Sequence, residues 1–211
     1  MVETRGPFGR EPSGGGDQSM SEHSIELSWM VRIWGALLVA LALVINYELL
    51  GAPTIVLGIA LLIAYLVWAF GRWTHIPARV LPLYLVGIAV QSLHIGEAYL
   101  TGFQRDFPAL FGSEWSDSRF LSLNLAWLAL FALGAAGMMR RIPLAYLVVI
   151  FFVLMAEIVS GIGHLALSIA RRQYFPGMLT ATVALFVGLT LIGKLLGRVP
   201  EGLAGGETNA G

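Results

Sequence analysis

The chain has 211 residues, of which 57% are hydrophobic and only 12% are charged. Soluble domains carry about 25% charged residues, so the composition excludes a soluble protein and predicts an integral membrane protein. The 13 basic and 13 acidic residues cancel, which leaves no basic surface for nucleic acid. Because the chain has no cysteine, disulfides, thiolate metal sites and cysteine nucleophiles are excluded as well.

Two polar tails flank a hydrophobic region. Residues 1–27 are rich in Gly, Ser, Pro and charge, which predicts a disordered polar tail. Residues 199–211 are predicted to form a second, short polar tail. Between them, residues 28–198 are predicted to form one transmembrane domain, an all-α bundle of six helices.

Six apolar runs support this prediction. A helix needs about 20 residues to cross a hydrocarbon core of roughly 30 Å. The second run follows a turn at Gly51-Ala52-Pro53, and the sixth begins after Pro176. In chain order the predicted spans cover about 29–50, 54–70, 80–100, 119–139, 143–170 and 177–196.

The basic residues predict the orientation of the bundle. Six spans place both termini on one side, and that side carries more arginine and lysine than the other. Cytoplasmic loops are enriched in these residues, so both termini are predicted to lie in the cytoplasm and the protein in a bacterial-type inner membrane. The terminal side carries Arg32, Arg72, Arg79, Arg140, Arg141, Lys194 and Arg198, and the opposite side carries Arg105, Arg119, Arg171 and Arg172.

Ionisable residues within the spans predict a functional site, because they are costly in hydrocarbon. They are Glu48, His94, Glu97, Glu157 and His164. At 1.5 Å per residue, His94 and Glu157 both lie about 21 Å above the start of their spans, Glu97 about 25 Å and His164 about 31 Å. Glu48 ends the first span. The outer half of the bilayer is therefore predicted to hold a polar cluster.

The spacing predicts that the cluster points inward. His94 and Glu97 are three residues apart and Glu157 and His164 seven apart, so each pair shares one helix face. A histidine and a carboxylate from each of several helices build metal sites in helical bundles, and this donor set suits zinc or iron. All four residues, His94, Glu97, Glu157 and His164, are therefore predicted as catalytic residues and metal ligands, with His94 and Glu157 as the central pair.

Two alternatives to a metal site stay open. The same residues can perform acid–base chemistry without a metal, or they can only hold the helices together by polar contacts. Asn46 and Asn124 are predicted to form hydrogen bonds between helices. The connection 101–118 is read either as an interfacial loop or as a lid over the cluster.

Two blocks of sequence resemble a known family. Residues 94–97 read HIGE and residues 99–103 read YLTGF, and a second block contains Gly163-His164, Ser168, YFPG at 174–177 and Thr180-Ala181. In this order they resemble the HXXEE-motif family of integral membrane proteins, over about residues 80–185. The resemblance implies a membrane enzyme, with metal dependence open and no substrate named. The family's second glutamate is Ala98 here. If that carboxylate is a ligand or the catalytic base in the family, the site of this chain is altered or inactive unless Glu48 or Glu157 substitutes.

The leading hypothesis is an integral membrane enzyme. A divalent metal, zinc or iron, would activate water or oxygen as in a hydrolase or oxidoreductase. The substrate would be a lipid-like or apolar small molecule that enters from the lipid bilayer. The alternatives are a metal-free acid–base isomerase, or a non-catalytic subunit of a membrane complex with partner subunits.

The orientation is testable by reporter fusions. A reporter that is active only in the cytoplasm should be active when fused after Gly211. A reporter that is active only outside the cytoplasm should be active when inserted near Gly112. A reporter near Gly112 that is active in the cytoplasm would reverse the orientation.

Overall fold

The computed structural model describes residues 27–71 and 78–196, and these residues are all-α. A short 3-10 turn, Ala78–Val80, precedes the third helix. A π-helical segment, Phe152–Val159, joins the sixth and seventh helices. The helices are α1 (Trp29–Leu50), α2 (Thr54–Phe70), α3 (Leu81–Thr101), α4 (Phe103–Ala109), α5 (Asp117–Met139), α6 (Pro143–Phe151), α7 (Ser160–Arg171) and α8 (Met178–Leu195).

Five of the helical stretches are long and apolar enough to cross a membrane. They are α1, α3, α5, α8 and the continuous 29-residue helix formed by α6, the π-helical segment and α7. The chain is therefore a polytopic helical membrane protein, as its composition predicts. The predicted second span is α2, an apolar helix of 17 residues, near the lower length limit for a span. The polar tails lie outside the described residues, except for residue 27.

The helix Pro143–Arg171 is the centre of the bundle. In its most apolar stretch 61% of the residues are buried inside the protein, against 22% to 33% in the other four spans. It packs against α8, α5 and α2. The other spans direct large apolar side chains outward, for example Leu93 and Phe186, which is the surface expected toward lipid.

Small residues allow the closest helix contacts. A Cβ atom added to Gly161 would lie 2.6 Å from Leu185 Cβ and 2.9 Å from the Ala181 carbonyl oxygen. One added to Gly188 would lie 2.6 Å from the Cβ of Glu157. Without a hydrophobic force between helices in lipid, such close backbone packing is a main source of association. These glycines therefore fix how α7 and the π-helical segment meet α8.

The glycine contacts give a matched test. Gly161→Ala should destabilise the bundle by about 1–3 kcal/mol through overpacking. Gly96→Ala should be neutral or stabilising by about 0.4–1 kcal/mol, because a Cβ there meets nothing within 4 Å. Reversible unfolding in detergent micelles would measure both changes. Equal stability of the two variants would contradict the tight packing of α7 on α8.

Candidate functional site

Two predicted site residues, His94 and His164, contact each other. Their rings lie edge to face with centroids 4.7 Å apart and an interplanar angle of 85°. Each side chain is only 5% exposed. Because His94 is on α3 and His164 on α7, this contact brings the two predicted helix faces together inside the bundle.

Glu97 links α3 to the start of α8. Its carboxylate accepts hydrogen bonds from the Leu179 backbone N–H at 3.1 Å and from the Thr180 backbone N–H at 2.8 Å. The Thr180 and Tyr174 hydroxyls also donate to it. The first N–H groups of a helix have no partner within the helix, and its N-terminus favours negative charge. Glu97 therefore caps α8 from a neighbouring helix.

Tyr174 lies in the connection between α7 and α8. Burial raises the pKa of its phenol, and the hydrogen bond to Glu97 raises it further. The phenol thus stays protonated and remains a donor to the carboxylate. Its oxygen also accepts from the Gly177 backbone N–H at 3.3 Å, which ties the connection to the cap.

The hydrogen bonds fix the tautomer of His94. The Thr180 hydroxyl donates to Glu97, so its oxygen can only accept from His94 Nδ1, which lies 3.0 Å away. Nδ1 therefore carries the proton. In the neutral ring Nε2 has the lone pair and accepts from the Ser160 hydroxyl at 3.2 Å. A chain of contacts thus runs from Ser160 through His94 and Thr180 to Glu97.

His164 is held on three sides. Its Nδ1 donates to the Pro176 carbonyl at 2.6 Å, and its ring stacks on Phe103 with centroids 4.9 Å apart. Gly177, in the left-handed conformation with φ +87°, covers the two imidazoles, and a Cβ there would lie 2.8 Å from His164 Cε1 and 3.0 Å from His94 Cε1. Glycine is therefore required at this position both by its φ angle and by space.

Glu157 is buried apart from this site. It is 0% exposed, and among the described residues neither carboxylate oxygen has a hydrogen-bond partner. Oε1 lies 3.2 Å from the position of a Cβ on Gly87, two helical turns from His94. Ser160, not Glu157, is opposite His94, so the prediction of His94 and Glu157 as a central pair is wrong.

The pairing failed because it assumed that α3 and α6 begin at the same depth. Tyr84 of α3 packs edge to face on Phe152, with ring centroids 4.9 Å apart. Phe152 is nine residues after Pro143, whereas Tyr84 is three residues after Leu81, so the Pro143–Arg171 helix begins several residues before the level at which α3 begins. This shift places His94 between Ser160 and His164 in height.

The remaining polar residues have other surroundings. Glu48 is exposed on α1. Ala98 is buried in a cluster with Ile95 and Phe120 that includes neither Glu48 nor Glu157. Asn46 accepts a hydrogen bond from Trp127 Nε1 of α5 at 3.3 Å, as predicted for a contact between helices. Asn124 instead donates to the Phe120 carbonyl of its own helix.

A cavity of about 180 Å³ adjoins the histidine pair. His164 and Ser160 supply polar groups to its wall, and most of the rest is aromatic or aliphatic. Trp127 lines this cavity and also a larger apolar groove of about 410 Å³ between α1, α5 and α6. Exposed leucines such as Leu41 and Leu133 border that groove. Trp127 therefore borders both the cavity at the site and an apolar groove that exposed leucines flank.

The connection 101–118 closes one side of the cavity. It forms α4, whose Phe103 and Phe107 line the cavity together with Trp115. Trp115 Nε1 donates to the Leu50 carbonyl at the end of α1, 3.0 Å away. The connection thus covers the site directly, an arrangement that the interpretation as a lid requires.

A divalent metal does not fit this arrangement of side chains. Among the described residues, no three His, Asp or Glu side chains lie close enough to hold an ion. Both oxygens of Glu97 and both ring nitrogens of His94 have hydrogen-bond partners, and His164 Nδ1 is bonded to Pro176. Zinc or iron binding by His94, Glu97, Glu157 and His164 stays a prediction, and it requires these side chains to change partners.

Sequence reasoning missed the role of Thr180. Its hydroxyl connects His94 to Glu97, although a threonine in the first turn of an apolar helix usually bonds within that helix. The signal was its position just after Pro176-Gly177, where the free N–H groups of a new helix attract a carboxylate. Helical spacing places Ser160 on the face shared by Glu157 and His164, but by itself gives it no role.

The fold and the site together define a polytopic helical membrane protein with two buried histidines and a half-buried glutamate, threonine and serine beside an apolar cavity. No protein-family model, no curated protein and no solved structure matches the chain. The resemblance to the HXXEE-motif family accordingly stays a prediction.

The isolation of Glu157 gives a stability prediction. Glu157→Met keeps the volume and removes a buried carboxyl group that lacks a partner, so unfolding in detergent should cost about 1–3 kcal/mol more. Glu97→Met, the matched control, should lower stability because it leaves four donors without their acceptor. Loss of stability in Glu157→Met would mean that the carboxyl group has a partner in the folded protein.

Proposed function

We propose that this protein is an integral membrane enzyme that performs histidine acid–base chemistry on a lipid-like or apolar small molecule. The observation that carries the proposal is the position of His164, a buried imidazole in the wall of an apolar cavity. Its Nδ1 is fixed by the Pro176 carbonyl. The ring therefore has Nε2 left to accept a proton from a bound substrate or, once protonated, to return it.

His94 and Glu97 support the same reaction. Glu97 brings a carboxylate next to the Thr180 hydroxyl that accepts from His94, so a positive charge on His94 would be partly compensated. The two imidazoles are in contact, so one ring can hold a proton while the other accepts one. The two imidazoles are buried, and electrostatic interactions of buried groups are stronger than in water.

The substrate class follows from the cavity. Its lining is mostly aromatic and aliphatic, with few polar groups, which is typical of sites for apolar ligands. Access along the groove between α1, α5 and α6 would bring such a molecule from the bilayer past Trp127. The cluster would lie in the outer half of the membrane if both termini are cytoplasmic.

Turnover in reconstituted vesicles tests the proposal. The purified protein would be incorporated into vesicles of total membrane lipid from its source cells, and lipid species would be followed by mass spectrometry. Wild-type protein should convert at least one component. His164→Gln should slow this conversion by about 10²–10⁴-fold, the usual contribution of a general acid or base.

Thr182→Val is the control for that experiment. Thr182 bonds to the Met178 carbonyl of its own helix, so its loss should leave turnover unchanged. Unchanged lipids with wild-type protein, or equal turnover in wild type and His164→Gln, would contradict the proposal. The first result would favour a non-catalytic subunit.

A further inference from the structure

The hydroxyl of Ser160 is bonded differently from those of Ser92, Thr182 and Thr190, which also lie within the spans. Ser92, Thr182 and Thr190 each donate to the carbonyl four residues earlier in their own helix, at 2.8, 2.9 and 2.8 Å. This is the usual solution for a hydroxyl in an apolar helix. Ser160 instead reaches across to α3 and lies 3.2 Å from His94 Nε2.

The position of Ser160 follows from the π-helical segment. Ser160 is the first residue of α7, directly after Phe152–Val159. The wider π turn changes the direction in which the next residues point, and such turns are frequent at functional sites. Here the change aims the hydroxyl at an imidazole and leaves it in the cavity wall.

The contacts of Ser160 match those of an activated nucleophile. Such sites combine a hydroxyl, a base within about 2.6–3.2 Å and a third group that orients the base. His94 Nε2 faces the Ser160 hydroxyl, and Nδ1 is bonded to Thr180, which is in turn bonded to Glu97. Glu97 thus acts through one intervening hydroxyl.

The cavity has room for the reaction beside this hydroxyl. Gly163, on the next turn of α7, also lines the cavity, and a Cβ there would meet nothing within 4 Å. A planar acyl group can therefore approach Ser160, while its chain lies among the aromatic side chains of α4 and α5.

We propose that Ser160 is a catalytic nucleophile, activated by His94, that attacks the carbonyl carbon of a carboxylic ester in a lipid-like molecule. This inference rests on the proposed enzyme and specifies its reaction as acyl transfer. His94 is the general base and acid of the reaction. Thr180 and Glu97 are positioning residues that hold the tautomer of His94.

The reaction balances with water as the second substrate. Ser160 Oγ bonds to the acyl carbon and its proton passes to His94 Nε2. The alcohol leaves with that proton as its bond to the acyl carbon breaks, which gives an acyl ester on Ser160. Water then attacks this ester and gives a proton to Nε2. The proton returns to Ser160 Oγ as the carboxylic acid leaves.

Covalent labelling and burst kinetics test Ser160 in the full chain. Purified protein in vesicles would be treated with alkyl fluorophosphonates of two chain lengths, and the modified residue found by peptide mass spectrometry. One equivalent should attach to Ser160. With p-nitrophenyl octanoate, the release of p-nitrophenolate should begin with a burst of about one equivalent, as expected for an acyl-enzyme.

Variants separate the nucleophile from its helpers. Ser160→Ala should lose labelling and burst, while Ser92→Ala, whose hydroxyl bonds within its own helix, should keep both. His94→Gln should slow labelling by about 10²-fold or more. Thr180→Val should slow it by about tenfold or more, because the contact that keeps the proton on His94 Nδ1 is lost. Thr182→Val should label at the wild-type rate. Thermal unfolding of each variant would verify that it is folded.

The possible results distinguish the two proposals. Labelling at Ser160 that depends on His94 supports the nucleophile. Conversion of membrane lipids by wild-type protein without labelling or burst overturns it and leaves the proposed acid–base enzyme standing. The absence of labelling, burst and lipid conversion overturns both. Labelling that is unchanged in folded His94→Gln also overturns the assignment, since the serine would then not depend on the base.

Discussion

The capping of α8 by Glu97 is the interaction on which the site depends. A carboxylate from α3 meets two backbone N–H groups and two hydroxyls at the junction before and within the first turn of α8. In an apolar surrounding each of these donors would be costly without a partner. The cap gives these four donors an acceptor, and the donors in turn stabilise the negative charge of Glu97. It thereby holds Thr180 beside His94 and keeps the Pro176-Gly177 turn against both imidazoles.

Close backbone packing is the second constraint. The glycines at positions 161 and 188 let α8 approach the helix that carries Ser160, His164 and Glu157. The π-helical segment within that helix then sets which side chains face α3. One consequence is that the Ser160 hydroxyl faces His94 Nε2. Another is that the carboxyl group of Glu157 is buried without a partner among the described residues.

Helix α4 covers the site and contacts both the polar cluster and the cavity. Phe103 stacks on His164, and the neighbouring aromatic rings extend from it along the cavity wall. The same segment therefore holds the imidazole and bounds the space where a substrate would lie. Movement of α4 would expose both together, which is the behaviour of a lid.

The sequence by itself determined the membrane class, the positions of the apolar helices and the inward direction of His94 and His164. These follow from composition, run length and helical spacing, which are local properties of the chain. Only the tertiary structure decided which residues meet. Helical periodicity gives the face of a residue but not the relative depth of two helices, so His94 was paired with Glu157 although Ser160 lies opposite it. The cap by Glu97 and the link through Thr180 were likewise hidden, because both join residues more than 80 positions apart.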